Sequence, residues 1–109
     1  PWRYYYRMIY EANKSIAELA SPKNNDERYT LAQFRALRGY AYFYLMQIFT
    51  TKYEPTSSTN SIPLYTTADI ASKPRVKQSE VYAQIISDLE FAVTNLNGFA
   101  RSKKGMIDT

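Results

Sequence analysis

Acid–base chemistry in this chain falls to its carboxylates, because the sequence contains neither histidine nor cysteine. That excludes imidazole dyads and triads, thiolate nucleophiles, disulfides and Cys/His metal sites. The acids cluster only at Asp26-Glu27 and around Asp88 and Glu90, and neither cluster forms a pair flanked by acid–base partners. The three glycines, Gly39, Gly98 and Gly105, are isolated, so no phosphate-cradling loop is present. Asn13-Lys14-Ser15 spells a glycosylation sequon inside a helical stripe, where chance is the simpler account. No catalytic residue, metal site or cofactor is expected, and the chain does not read as an enzyme.

The aromatic residues offer a different chemistry. Eleven tyrosines, five phenylalanines and one tryptophan stand in 109 residues. Planar rings stack on the apolar faces of pyranoses while nearby polar groups take the hydroxyls. Tyr40, Tyr42, Phe43 and Tyr44 cannot share such a task, because consecutive helical residues point about 100° apart. Core packing is the expectation for them. Trp2, Tyr53 and Tyr65, at an end or in a long loop, are the candidate ligand-stacking residues, although packing accounts for each more simply.

Charge narrows the partners. Fourteen basic against ten acidic residues give +4 and a pI near 9.3. The excess is thinly spread, with 8 basic and 5 acidic groups in residues 1–54 and 6 and 5 in residues 55–109. A nucleic-acid binder concentrates its charge on one face or arm, so nucleic acid is not an expected partner.

Three helices must position these residues. Tyr5, Ile9, Ala12, Ile16 and Leu19 recur at fours and threes, predicting a helix over about 3–20 that ends before Ser21-Pro22. A second runs over about 27–49. Its half from Gly39 to Met46 is apolar nearly all round, which predicts burial on more than one side. A third covers about 79–97, with Val81, Ile85, Leu89, Ala92 and Leu96 on its stripe, Ser79 as N-cap and Gly98 just beyond. Residues 50–78 form one long connection with ten Ser or Thr and three Pro, in which Ile62-Pro63-Leu64-Tyr65 is an apolar island expected to dock on the helices. The fold class is all-α: one domain, three main helices and one long loop.

Two charges break the stripes. Asp88 falls on the apolar face of the third helix, and Arg38 on that of the second, with Arg35 one turn away. A carboxylate there cannot stay buried and ionised without a partner. The spacing predicts an ion pair from Asp88 to Arg38, or failing that to Arg35, against the alternative that both side chains reach out to water. Gly39, inside a helix where it costs about 1 kcal/mol relative to Ala, predicts close approach of a neighbouring helix.

These segments resemble the SusD/RagB family in series. Gln33-Phe34-Arg35-Ala36-Leu37-Arg38-Gly39-Tyr40-Ala41-Tyr42-Phe43-Tyr44-Leu45 matches the family's Phe-Leu-Arg-Ala…Tyr-Phe-x-Leu helix. Ile62-Pro63-Leu64 matches its x-Pro-Leu loop end. Arg75, Glu80, Val81, Tyr82, Ile85, Asp88, Leu89 and Ala92 match the helix after it, and Trp2, Tyr6, Ile9, Ala12 and Asn13 the one before. The likeness spans about residues 2–105. Lys77 departs from the family's usual Thr, and the loop before Pro63 lacks glycine. The chain opens at Pro1-Trp2 without Met and stops where the family's next helix starts, so it reads as a piece of a larger protein.

The resemblance implies a tetratricopeptide-like helix array within a non-catalytic, lipid-anchored protein at the outer-membrane surface of Gram-negative bacteria. Such proteins capture oligosaccharides or other nutrients and sit on a SusC-like TonB-dependent transporter. It implies that this segment is N-terminal scaffold, with Arg35, Arg38, Gly39, Pro63 and Asp88 structural and most glycan contacts elsewhere. With no wall expected to face its aromatics, the segment is not expected to hold a glycan by itself, and an uncovered apolar face predicts self-association. A free tetratricopeptide-type adaptor for peptides is the alternative reading. The 29-residue excursion, and the lack of a strict 34-residue repeat, argue against it.

Overall fold

The computed structural model describes residues 2–53 and 60–102, with side chains for 2–52 and 60–96. The fold is mainly helical: α1 (Trp2–Glu18), α2 (Asn25–Tyr53) and α3 (Gln78–Ser102), with a small sheet of β1 (Asn60–Pro63) and β2 (Arg75–Lys77). α1 and α3 each pack on α2 and, among the described residues, not on one another.

Local chemistry accounts for the helix ends. At the close of α1 the ladder tightens, Leu19 N–H reaching both Ser15 O and Ile16 O at 3.1 and 3.2 Å, before Ser21-Pro22 stops it. Asn24 caps α2, its Oδ1 accepting from Glu27 N–H at 2.9 Å while Glu27 Oε1 accepts from Lys23 N–H at 3.0 Å. Asp26 and Glu27 also place negative charge in the first turn, where the helix dipole favours it.

The connection differs from the long loop without strands expected over 50–78. α2 continues through Tyr53, and the two ends of the connection pair antiparallel, Asn60 with Lys77 and Pro63 with Arg75. Three steps along β1 oppose two along β2, so the pairing carries a bulge. Ser61 Oγ reinforces it by donating to Val76 O at 3.0 Å. α3 follows β2 directly, so Ser79 lies inside the first turn and does not cap it.

The core joins all three helices to the strand pair: Ile9 from α1, Ala41, Tyr42, Leu45, Met46 and Phe49 from α2, Ile62 from β1, and Val81 and Ile85 from α3. Leu64 and Tyr65 pack on it from outside. At Gly39 a Cβ would stand 3.2 Å from Asp88 Cβ and 3.2 Å from Leu89 Cδ2, so the missing side chain lets α2 and α3 close together.

α2 is buried on two sides, as expected, but core packing holds for only one of its four clustered aromatics: Tyr42 is fully enclosed, whereas Tyr40, Phe43 and Tyr44 are 54%, 38% and 49% exposed. Two neighbouring helices cover two faces of a cylinder, and the third stays open. Its rings partly shelter each other, Tyr44 stacking on Tyr5 at 6.0 Å and meeting Phe43 edge-on at 5.8 Å.

Candidate functional site

Asp88 lies at the contact of α2 and α3 with no exposed surface. Its Oδ2 accepts from Arg38 Nε at 2.9 Å and its Oδ1 from Arg38 Nη2 at 2.8 Å, a two-pronged pairing that matches the planar guanidinium to the carboxylate. Oδ1 also takes Arg35 Nε at 3.0 Å and Gln84 Nε2 at 3.2 Å. The sequence offers Arg38 or Arg35 as partner; the carboxylate holds both. Arg35 is further placed by Ser87 Oγ at 3.1 Å and by the Phe91 ring, 4.3 Å from its guanidinium.

The cluster extends to the loop. Arg38 Nη1 donates to Asn13 Oδ1 at 2.8 Å and to Thr66 O at 3.4 Å. Asn13 Nδ2 then donates to Tyr65 O and Thr67 O, both at 3.1 Å. Tyr42 serves the same strip, its hydroxyl accepting from Tyr65 N–H at 2.6 Å and donating to Tyr65 O at 3.2 Å. Tyr6 OH donates to Pro63 O at 2.8 Å. Helix side chains thus supply the partners that a ladder would supply elsewhere, and residues 63–67 are clamped against α1 and α2. Burial pushes both phenols above the usual tyrosine value of 10.0; for Tyr42 the backbone bond to Tyr65 and the Arg38 charge pull the other way.

The clamped segment faces α1 across a cleft of about 510 Å³, within the range of small-ligand sites. Tyr6, Arg3, Arg7 and Tyr10 form the α1 wall, and Pro63, Tyr65, Asp69 and Ile70 the other. The absence of a wall facing the loop aromatics, expected from sequence, is therefore corrected: the helix-to-carbonyl bonds draw the loop over α1. Tyr65 is fixed within it, its hydroxyl donating to Ala71 O at 2.8 Å and its ring edge-on to Tyr6 at 5.8 Å.

Comparison with known proteins gives the family. Residues 1–102 match the family model described as SusD-like, starch-binding and associating with the outer membrane. This chain belongs to the SusD-like family. The SusD-like protein P38 of Formosa agariphila is 31% identical over 100 residues, covering 87% of this chain and 18% of that relative. The chain thus spans under a fifth of the curated relative it matches. No solved structure matches it.

Within this SusD-like chain the two stacking candidates whose side chains are described line different recesses. Tyr65 lines the large cleft, whereas Trp2 opens on a separate recess of about 250 Å³ beside Phe49 and Ile62. The Tyr53 side chain lies outside the described residues. Asn13, which joins Arg38 to the loop, carries no charge to mark it in the sequence. The signal was present: a polar residue four positions after Ile9, on the same stripe.

Proposed function

We propose that this chain is helical scaffold of a non-catalytic glycan-capture protein working with a SusC-like TonB-dependent transporter, anchored by lipid at the outer-membrane surface. The family match over residues 1–102 carries the reading. The geometry supports it, because the arrangement suits binding: rings on both walls of a cleft and a loop held rigidly by side chains. The structural residues in this reading are Arg35 and Asp88, which tie α2 to α3, Arg38, which binds Asp88 and also reaches the loop at Thr66 O, Gly39, which admits α3, and Pro63, which ends β1 and accepts from Tyr6.

Co-purification tests it. Antibody to this chain, applied to detergent-solubilised outer membranes of the source cells, should recover a TonB-dependent transporter. Recovery of the protein only from the aqueous fraction, without a transporter, would overturn the proposal.

A further inference from the structure

The cleft lining carries two arginines against one aspartate. Arg3 and Arg7 stand one helical turn apart on its α1 wall, both exposed, and neither guanidinium has a hydrogen bond or ion pair among the described residues. The two tyrosine rings carry cations as well, Lys73 Nζ lying 5.4 Å from the Tyr65 centroid and Lys14 Nζ, which also pairs with Glu11 Oε1 at 3.9 Å, 5.7 Å from that of Tyr10. Asp69 is the carboxylate of the lining, and its Oδ1 is engaged by Ala71 N–H at 2.9 Å. No acidic side chain stands in the first turn of α1, where the helix dipole adds further positive character.

A neutral sugar entering this cleft must shed water from two like charges without neutralising either. An oxyanion removes that penalty and receives charge-assisted hydrogen bonds from planar donors matched to carboxylate and sulfate. Ile70, 88% exposed at the mouth, offers apolar surface to a pyranose face.

We propose that the cleft is a subsite for oligosaccharides bearing carboxylate or sulfate groups, with Arg3 and Arg7 binding the anion beside Tyr10 and Tyr65. This rests on the glycan-capture reading and narrows its ligand class. Affinity electrophoresis through gels containing polygalacturonate, a sulfated galactan or neutral amylopectin tests it. The two anionic gels show which oxyanion is preferred. Retardation is expected in at least one anionic gel and not in amylopectin. The R3Q/R7Q variant should bind about tenfold more weakly, the size of one lost charge-assisted bond. K23Q/K77Q removes the same charge away from the cleft and should bind as the parent does. Both pairs are exposed, so circular dichroism should show all proteins equally folded.

Equal weakening by both variants would mean attraction to net charge alone and would overturn the subsite. Equal or stronger retention in amylopectin would overturn the anionic selectivity while leaving glycan capture standing. Retention in no gel, with the transporter still co-purifying, would overturn the subsite and leave the uptake reading intact.

Discussion

Removing the Asp88 carboxylate should cost more than removing either arginine's outer contacts. With no exposed surface, it is the common acceptor for Arg38 and Arg35. Asp88→Ala strands a buried guanidinium and should destabilise the chain by about 3–5 kcal/mol. Arg35, whose side chain is 21% exposed, can turn to water, so Arg35→Gln should cost about 1 kcal/mol. Urea denaturation measures both; a loss under about 1 kcal/mol for Asp88→Ala would show that the network is not a buried one. At Gly39, alanine gains about 1 kcal/mol of helix propensity. Its Cβ, however, meets Asp88 Cβ at 3.2 Å, and Asp88 is pinned by its arginines, so overpacking of about 1–3 kcal/mol should dominate and Gly39→Ala should destabilise. Arg38 and Asp88 stand out in the sequence because each breaks an apolar stripe. Asn13 breaks one too, but an uncharged amide beside Ala12 is a fainter intrusion than a carboxylate.

The strip 63–67 is held by the helices, and two phenols are central to that. Tyr42→Phe deletes the acceptor for Tyr65 N–H and a donor to Tyr65 O. It should cost about 1–3 kcal/mol and speed hydrogen exchange at the Tyr65 amide; unchanged exchange would mean that the clamp is not what orders the loop. The same phenols set an alkaline limit. Their folded-state values are raised by burial, so the unfolded chain loses these protons first once pH passes about 10. The stability they contribute is complete below that pH and falls above it, by up to about 1.4 kcal/mol per pH unit for each group. Tyr6→Phe and Tyr42→Phe should blunt the fall between pH 10 and 12, read by far-ultraviolet circular dichroism.

Helix existence follows from periodicity, whereas the ends shift with capping and tertiary contact: α2 starts at Asn25 under an Asn24 cap and runs four residues past the expected Phe49. The strand pair escaped sequence reading for a physical reason. Strands of four and three residues are too short to show alternation, and they pair across an eleven-residue connection that carries no hairpin-turn signal such as Asn-Gly or Asp-Gly.

Across the molecule, Tyr40, Phe43 and Tyr44 leave an aromatic face of α2 open, and Ile86 and Val93 do the same on α3. Apolar exposure of this kind predicts concentration-dependent association of the chain. Sedimentation should show it, and Tyr40→Lys with Tyr44→Lys should reduce it. A strict monomer melting cooperatively above about 65 °C, the top of the usual mesophile range, would contradict it.

From sequence alone came the all-α class, the family, the lack of histidine and cysteine chemistry, and the charged residues that must be buried together. These are properties of composition and of spacing along one helix, which a linear pattern records. Tertiary structure decided the rest: which face of α2 stays open, how the connection pairs with itself, and that Asn13, Arg38 and Tyr42 pull the loop over α1 to build a cleft. Those outcomes depend on which groups meet across the 23 to 57 residues separating the clamp's side chains from the loop. No periodicity encodes such a distance, because it is set by how the helices pack.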